Sequence, residues 1–513
     1  MFIDARNLPD QTILETDLAI IGGGVAGITL ARALADSGIR ICLVEAGGLE
    51  LDPEVQALYE GENVGIDYST TATRLRYFGG SSNHWGGYTR PLDPIDFEQR
   101  DWVPHSGWPL SMEELLPWYK PATELTQIAP AHFDDAPYWE QETGATLPRP
   151  ATGRMRFQFV HFSPPTRFGT EYREELDAAP DIQVLLNANV TRIAAAENGR
   201  TVNRLDIRTL NNLTHHVRAR RYVVAVGGLE NARLLLLSND VVKAGLGNHN
   251  DQVGRYFMEH PHLAGFAEIV AGDMDRMPKI MRERVRVQGR SAKVAFNPAA
   301  DFLREERLLN ATFMMGVARN YAAQPTPDQE EPRSTAHRDM LLAARRFLSD
   351  SDIDSTTDAA DALGVWLGIG GSSEQAPNPD SRVSLSDSRD ALDLPRLKLD
   401  WRLTEQDRVS FYTHMRSLAL EFGALGLGRM LETIADKDNW PQPVAGGSHH
   451  MGTTRMSDDP KHGVVDRNCK VHDIENLYVA GSSTFPTSGS ANPTLTLVAL
   501  TLRLAEHLKE QMR

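Results

Sequence analysis

The stretch that most constrains this chain runs from Asp17 to Gly48. A short apolar run is followed by the glycine pattern G-x-G-x-x-G. A segment with helical apolar spacing comes next, and a second apolar run then ends in an acidic residue. Such a strand–turn–helix–strand unit predicts the beginning of a buried parallel sheet that is covered by helices. We therefore expect this part of the chain to adopt a Rossmann-like α/β fold.

Three glycines and one glutamate in this unit indicate what it binds. Gly22 permits a tight turn, Gly24 lets the backbone approach a pyrophosphate, and Gly27 lets helix and strand pack closely. Glu45, at the end of the second strand, can accept hydrogen bonds from both hydroxyls of an adenosine ribose. An ordinary βαβ turn with glycines for packing would leave Glu45 unexplained, so we predict a bound dinucleotide. We expect the helix to end at Gly38.

Composition narrows the class of protein and its partners. At 513 residues the chain exceeds one hydrophobic core. The net charge of −16 argues against a nucleic-acid backbone or an anionic membrane as partner, and no apolar run is long enough to span a bilayer. The first residues lack the basic start and apolar core of a secretory signal, and the two cysteines form no C-x-x-C pair. We expect a cytoplasmic protein without disulfides.

A glycine-rich loop between Gly79 and Gly87 is the next feature with chemical meaning. Four glycines around Ser, Asn, His and Trp are typical of neither a helix nor a regular strand, and they let the backbone approach a large flat group. His84 in this loop has three interpretations: a loop hydrogen-bonding residue, a base, or the covalent attachment point of a flavin methyl group. No metal-ligand spacing is present, so we predict no metal site. The later glycine run at 368–371 precedes no helix, so we predict one dinucleotide site.

Two later segments carry residues suited to proton transfer. A glycine-flanked loop contains His449 and His450, each of which could be a general base or could merely satisfy loop carbonyls. Asn492 and Pro493 are expected to open a long helix that ends near Gln511, with Asn492 as its N-cap. The partial positive charge of a helix start favours an anion such as the pyrimidine end of a reduced flavin. Asn492 could also orient a substrate hydroxyl.

With these segments in view, the chain resembles the glucose–methanol–choline (GMC) oxidoreductase family of flavoenzymes over almost its whole length. The resemblance is strongest at residues 17–48, 74–95, 221–262 and 445–510. It implies bound FAD in a discontinuous Rossmann-like domain and a second, substrate domain built on a large, mainly antiparallel sheet. It also implies that an alcohol is oxidised by proton abstraction and hydride transfer to flavin N5.

The resemblance also predicts the domain boundaries. Acidic and hydroxyl residues are abundant in the middle of the chain, where we expect a lid. Two alternating segments, 382–386 and 396–400, predict a hairpin or two neighbouring strands. The predicted FAD-binding domain comprises residues 1–100, 181–265 and 443–513, and the predicted substrate-binding domain comprises residues 101–180 and 266–442, with the lid near 322–361.

Residue roles follow from the same resemblance. His449 stands where the family has its catalytic histidine, three residues before Gly452, and Asn492 stands at the partner position. The resemblance therefore implies that His449 accepts the hydroxyl proton while Asn492 hydrogen-bonds the same oxygen, with His450 as the alternative base. The loop around His84 resembles the pyranose oxidase-like, sugar-oxidising branch, which implies a covalent flavin bond. The residues expected to contact the cofactor are Gly22, Gly24, Gly27, Glu45, Gly79, Gly80, Asn83, His84, Val190, Gly481, Pro493 and Thr494.

The implied activity is oxidation of a secondary hydroxyl of a sugar or glycoside to a ketone, with oxygen, a quinone or a redox protein as electron acceptor. Three alternatives remain open. The substrate could be a non-sugar alcohol, or the chain could be a non-redox lyase in which FAD is idle. A flavoprotein without turnover is the third, and the presence of both His449 and Asn492 argues against it.

Overall fold

The structure is a computed structural model that describes residues 1–271, 276–319, 365–432 and 444–513. The predicted lid near 322–361 lies outside the described residues. The described residues form a mixed α and β protein with four sheets, two of which position the candidate site.

A parallel sheet of six described strands confirms the Rossmann-like prediction. The strand Leu18–Ile21 lies inside this sheet, and all four of its side chains are buried because both faces of the sheet are covered. The strand order across the sheet is Phe2–Asp4, Ile182–Leu186, Ile41–Val44, Leu18–Ile21, Arg221–Val224 and Leu477–Val479.

The helix that follows the first central strand spans Val25–Ala33 and is shorter than predicted. Its end is capped at Leu34, and Asp36 adopts a left-handed φ of 59°, so the chain leaves the helical path before Gly38. Gly38, with a φ of 75°, therefore belongs to the turn that leads into the next strand. The prediction that the helix ends at Gly38 was wrong by one turn.

A large antiparallel sheet provides the second major layer, as predicted. Residues 368–371 lie within one of its strands and open no helix, in agreement with the prediction that this run is not a second fingerprint. Within the described ranges its main path runs through Arg429–Glu432, Pro261–Ala271, Val365–Ser373, Ala311–Arg319, Arg290–Pro298, Met155–Phe162 and Tyr88–Thr89. Two further strands, Val285–Val287 and Ala445–Gly446, pair alongside this path.

Two smaller sheets contain the remaining described strands. The predicted hairpin is confirmed, since Arg382–Arg389 pairs antiparallel with Pro395–Asp400, and Gly61–Asn63 adds a parallel third strand. The other small sheet consists of Thr12–Glu15, Thr214–Arg218, Val202–Arg208 and Asn189–Ala195.

Helices cover the sheets and close the fold. The helix Thr494–Met512 packs against Val25–Ala33 and Met112–Leu125, which joins the end of the described chain to its beginning. No helix in the described ranges is both long and apolar enough to cross a bilayer. The other α-helices of the described residues are Pro53–Gln56, Pro94–Phe97, Ala136–Thr143, Phe168–Glu171, Arg173–Ala178, Gly228–Leu237, Lys279–Arg282, Ala300–Glu306 and Glu405–Ala424. Short 3₁₀ turns occupy Ala5–Asn7, Ala57–Tyr59, Gly80–Asn83 and Ser482–Thr484.

Candidate active site

A cavity of about 520 Å³ opens at the carboxyl ends of the parallel strands. The residues that directly follow four of these strands line it, namely Gly22, Glu45, Ala225 and Ala480. Open α/β sheets bind ligands at this edge, because the loops there leave a crevice beside helix N-termini. We name this space the cradle cavity.

Each glycine of the fingerprint is required for a different structural reason. Gly22 has a φ of 108°, and a Cβ there would lie 2.5 Å from the carbonyl oxygen of Ala225. A Cβ on Gly27 would lie 1.9 Å from the carbonyl oxygen of Gly22, so Gly27 serves packing and does not line the cavity. A Cβ on Gly24 would meet nothing within 4 Å, and Gly24 lines the cavity at the uncapped start of Val25–Ala33. This arrangement fits the close approach of a pyrophosphate to a helix N-terminus.

Glu45 lies buried in the cradle cavity and is held by the backbone. Its Oε2 accepts a hydrogen bond from the amide of Gly23 at 2.7 Å, and its Oε1 accepts one from Gly47 at 2.9 Å. Burial raises the pKa of the Glu45 carboxyl, while these amides act in the opposite direction. Each carboxylate oxygen has a further lone pair, so the fixed side chain retains capacity for two ribose hydroxyls.

Two arginines also line the cradle cavity, although the sequence reasoning assigned them no role. Arg74 donates to Glu230 Oε1 at 2.9 Å in a buried ion pair. Arg76 donates to Asn189 Oδ1 at 3.2 Å, but its buried Nε has no hydrogen-bond partner among the described residues. A buried guanidinium N–H without a partner is costly. Its position in this cavity fits an acceptor supplied by a ligand.

The glycine-rich loop reaches the cavity through only part of its length. Residues Gly80–Asn83 form a 3₁₀ turn, so the expectation of an irregular loop was wrong there. His84 lines the cavity, and burial followed by the charge of Arg167 lowers its pKa. Asn83 instead donates to the carbonyl of Phe78 at 3.0 Å and faces a separate pocket. The structure therefore does not bring Asn83 to the cradle cavity.

His449 and Asn492 meet at the far side of the cradle cavity. The Nε2 of His449 and the Nδ2 of Asn492 are 3.0 Å apart. The final helix begins at Thr494 with Pro493 in the N-cap position and no side-chain cap, so the prediction that Asn492 caps this helix was wrong. The carboxamide of Asn492 is directed to the imidazole instead.

Hydrogen bonding defines the tautomer of His449. The ring of His260 donates from Nε2 to the carbonyl oxygen of Gly489 at 2.9 Å, which leaves its Nδ1 as an acceptor in the neutral ring. The Nδ1 atoms of His260 and His449 are 2.9 Å apart, so His449 must carry its proton on Nδ1. Its Nε2 then has a lone pair and accepts from Asn492. The atom that faces the carboxamide is therefore the basic one.

Burial keeps these imidazoles neutral. It lowers the pKa of His260 to about 4 and, with the neighbouring histidines, lowers the pKa of His449 well below its usual range. The pKa of His450 falls to about 3, mainly through burial. The Nε2 of His450 is hydrogen-bonded to the hydroxyl of Tyr68 at 2.7 Å, so this second ring is engaged in the protein.

A buried carboxyl group fixes the loop that carries His449. Glu259 accepts from the amides of His449 at 2.7 Å and Gly447 at 2.9 Å, from the amide of His260 at 3.0 Å and from the hydroxyl of Tyr68. Burial raises the pKa of Glu259 to about 7. The loop that carries His449 is therefore held to Glu259 by two of its backbone amides.

The cradle cavity thus collects most of the predicted site residues. Gly27, Gly79 and Asn83 do not line it. The sequence reasoning missed Tyr68, Glu259, His260 and His262, although the run from Glu259 to His262 places three titratable side chains within four residues and could have suggested a site. The predicted residues that do line the cavity are Gly22, Gly24, Glu45, Gly80, His84, Val190, His449, Gly481, Asn492, Pro493 and Thr494.

A second cavity of about 760 Å³ lies against the antiparallel sheet, and we name it the sheet cavity. Tyr88, His262 and Asn492 line both cavities, so the two spaces meet beside the Asn492 carboxamide. A molecule in the sheet cavity therefore has access to the atoms between His449 and Asn492. In this arrangement the imidazole of His449 can deprotonate a hydroxyl group. A second group bound in the cradle cavity can accept the hydride that leaves the substrate carbon. Within the described residues, no cluster of side chains suited to a metal ion is present.

Comparison with known proteins agrees with this architecture. Residues 377–501 match a family model described as GMC oxidoreductase. The chain is 24% identical to a 2-methyl-1,2-propanediol dehydrogenase of Mycolicibacterium austroafricanum, over 97% of this chain and 96% of that protein. It is also 24% identical to the fructose dehydrogenase large subunit of Gluconobacter japonicus, over 98% of this chain and 99% of that protein.

A solved structure, pyridoxine 4-oxidase from Mesorbium loti, is similar in fold. Its TM-score is 0.60 at 19% identity, with 96% of this chain and 99% of that chain covered. At this identity the likeness concerns the fold alone. Together with the family model and the curated relatives, it confirms the resemblance that the sequence motifs indicated.

Proposed function

We propose that the chain is a GMC oxidoreductase, as the match of residues 377–501 and the relatives at 24% identity support, and that it oxidises a secondary hydroxyl of a sugar or glycoside to a ketone with bound FAD. The contact of 3.0 Å between His449 Nε2 and Asn492 Nδ2, at the meeting point of the two cavities, carries this proposal. The lone pair of His449 can accept the proton of an alcohol, and the amide N–H of Asn492 can donate a hydrogen bond to the alcohol oxygen.

FAD fits the residues of the cradle cavity. Gly22 and Gly24 would hold the pyrophosphate at the helix start, Glu45 the ribose, and Arg76 a further oxygen, since its Nε has no acceptor among the described residues. The other contacts that we propose come from Gly80, Val190, Gly481, Pro493 and Thr494. When bound, FAD supplies the acceptor for the hydride that leaves the substrate carbon.

The protein's own part of the reaction is proton transfer and positioning. His449 takes the hydroxyl proton on Nε2, because its other nitrogen already carries a proton toward His260. Asn492 turns its N–H to the substrate oxygen and holds it beside the imidazole. The resulting imidazolium keeps its Nδ1–H bonded to the neutral acceptor of His260, so the charge forms without rearrangement of the partner ring. Departure of the proton strengthens the tendency of the carbon to release hydride.

The substrate class rests on the size of the sheet cavity and on the relatives. A volume of about 760 Å³ is sufficient for a sugar or a glycoside. The fructose dehydrogenase large subunit supports a sugar, whereas 2-methyl-1,2-propanediol dehydrogenase supports a non-sugar alcohol as the alternative. Oxygen, a quinone and a redox protein remain the three proposed acceptor classes.

Three further predictions belong to the same proposal. His84 is the proposed covalent attachment point of the flavin, supported by its place in the cradle cavity. The FAD-binding domain is proposed to comprise 1–100, 181–265 and 443–513, and the substrate-binding domain 101–180 and 266–442. The proposed location is the cytoplasm, which suits the buried free thiols of Cys42 and Cys469.

An anaerobic titration tests the function. The purified protein is mixed with sugars, glycosides and simple alcohols without oxygen, and the visible absorbance of the flavin is followed. We expect one class of secondary alcohol to bleach the flavin and to yield a ketone. Readmission of oxygen, or addition of a quinone, then identifies the acceptor. Product formation without bleaching would support the lyase alternative, and absence of bleaching across the panel would reject the proposal.

A further inference from the structure

The wall of the sheet cavity carries an excess of positive charge. Among the described residues that line it, Arg282, Arg284 and Lys293 are cationic, and Glu283 is the only acidic residue. None of these four side chains has an ion-pair partner within the described ranges. Arg282 donates from Nε to the carbonyl of Met277 at 2.9 Å. In a chain with a net charge of −16, such a local excess of cations requires an explanation.

Lys293 is the most constrained of these cations. It lies half-buried on the strand Arg290–Pro298, and its ammonium group donates to the carbonyl of Met315. Burial lowers the pKa of Lys293 to about 8. A partly desolvated ammonium group gains most from an anion that would enter the same space.

Arg284 is held over aromatic rings at the rim of the same cavity. Its guanidinium carbon lies 3.8 Å from the ring centroid of Phe162 and 5.1 Å from that of Tyr88. Stacking fixes the plane of the guanidinium group while its N–H donors stay exposed. A planar fork of donors in this state is suited to two oxygens of one anionic group.

The cavity also has room for a ligand beside these cations. Gly370 lines it from within the strand Val365–Ser373, and a Cβ there would meet nothing within 4 Å. Glycine inside a strand weakens the strand unless something must approach closely. Tyr88 lines the sheet cavity beside Arg284 and also lines the cradle cavity with Asn492. One substrate can therefore contact the cations and the proposed reacting atoms together.

We propose that the sheet cavity binds an anionic substituent of the substrate, and that the substrate is an acidic sugar or acidic glycoside. The shared chemistry is a group with several charged oxygens, either a carboxylate or a phosphate. This inference rests on the proposed function. It names a charged group on the same substrate whose hydroxyl is proposed to bind His449 and Asn492.

Turnover of matched compounds tests the charge preference. Methyl β-D-glucoside, the corresponding methyl β-D-glucuronide and glucose 6-phosphate are compared with the FAD-loaded enzyme. We expect kcat/KM to be at least about tenfold higher for one of the two anionic compounds, and to fall as salt is added. The better of the glucuronide and the phosphate identifies the anion. A preference for the neutral glucoside would overturn the proposal.

Variants locate the effect. Lys293→Met keeps the length of the side chain without its charge, and Arg284→Gln removes an exposed charge, so neither depends on refilling the core. Each should raise KM for the anionic compound about tenfold and leave KM for the neutral glucoside within about twofold. Arg286→Gln is the matched control, because Arg286 is exposed on the adjacent strand Val285–Val287 and does not line the cavity. Equal effects of all three variants would contradict the assignment.

Binding separates this inference from the proposed function. The affinity of glucuronate and glucose 6-phosphate is measured by calorimetry under conditions without turnover, with glucosamine as the cationic comparison. If no alcohol bleaches the flavin yet the acidic sugars bind and lose about tenfold in affinity in Lys293→Met, the proposed reaction fails while the anion site stands. If these sugars bind no better than glucosamine, the anion site fails, whatever the enzyme oxidises.

Discussion

The Nδ1 atoms of His260 and His449 lie 2.9 Å apart, although 189 positions separate the two residues in the chain. The carbonyl oxygen of Gly489 accepts the hydrogen bond from the single N–H of the neutral His260 ring. The other ring nitrogen of His260 is therefore an acceptor, and His449 donates to it. A neutral imidazole therefore occupies the place where a carboxylate supports the base in many hydrolases. It fixes the ring of His449 without raising its basicity through a full negative charge.

Replacement of His449 tests the assignment of the base. His449→Ala should retain bound FAD, because Gly22, Gly24 and Glu45 are unchanged, and should lose at least about a hundredfold in turnover. Steady-state rates and the flavin absorbance of the purified variant measure the two effects. His462→Ala, a change at an exposed histidine, is the control. Normal turnover in His449→Ala would refute the assignment.

Replacement of His260 tests the tautomer. His260→Phe removes the acceptor for the Nδ1–H of His449 and should lower kcat by about ten- to a hundredfold, with a smaller change in KM. His260→Asn offers a carbonyl oxygen in a similar place and should recover part of the loss. Equal activity of the Phe and Asn variants would show that His260 fills space only.

The pH dependence follows from the low pKa of His449. Burial, and then the neighbouring histidines, lower this pKa well below the usual 6.5, and the base must be neutral to take a proton. As pH falls, the ring stays neutral until the pH passes its lowered pKa, so kcat/KM should remain level through pH 6.5 and decline only in more acidic solution. Measurement of kcat/KM across this range is the check. A decline that begins above pH 7 would assign the base to another group.

A buried ion pair joins Arg100 to Glu374, the residue that follows the strand Val365–Ser373 of the antiparallel sheet. Arg100 and Glu374 are fully buried, with Nη1 to Oε2 at 2.8 Å, and Oε2 also accepts from the amide of Asn310. Arg100→Met leaves an unpaired buried carboxylate and should reduce the free energy of unfolding by about 3–5 kcal/mol. Arg100→Met with Glu374→Gln should recover a large part of this loss in urea denaturation. A double variant as unstable as the single one would show that packing, not charge, dominates.

Denaturation in acid tests the flavin bond at His84. If the bond is present, the yellow colour stays with the precipitated protein, and His84→Ala releases it into the supernatant. Absorbance of the two fractions is sufficient to decide. Complete release of flavin from the unmodified protein would rule out the covalent link and leave His84 as a residue that lines the cavity.

The sequence predicted the parts of the fold that depend on local pattern. The fingerprint from Gly22 to Glu45 predicted the parallel sheet, because buried strands and an obligatory glycine turn leave a direct record in neighbouring residues. The alternation of apolar and polar residues predicted the hairpin of Arg382–Arg389 and Pro395–Asp400 for the same reason. The early end of the helix Val25–Ala33 could not be predicted in this way. The helix ends at a turn that contains Asp36, before the chain reaches Gly38.

The missed residues share another physical cause. Glu259 and His260 act on His449 across the fold, and no spacing rule links residues so far apart in the chain. Asn492 looked like a helix cap because caps are local, yet a tertiary partner, the His449 ring, takes its side chain. Asn83 lies beside cavity residues in sequence but turns its amide to Phe78, which only the backbone path of the loop decides.

The strand Leu477–Val479, which adds to the parallel sheet beside Arg221–Val224, has a consequence for biosynthesis. The first half of the dinucleotide site leaves the ribosome early, but this sheet edge and the segment with Asn492 emerge long afterwards. The cradle cavity therefore cannot be complete until these late segments have emerged and have folded back onto the early ones.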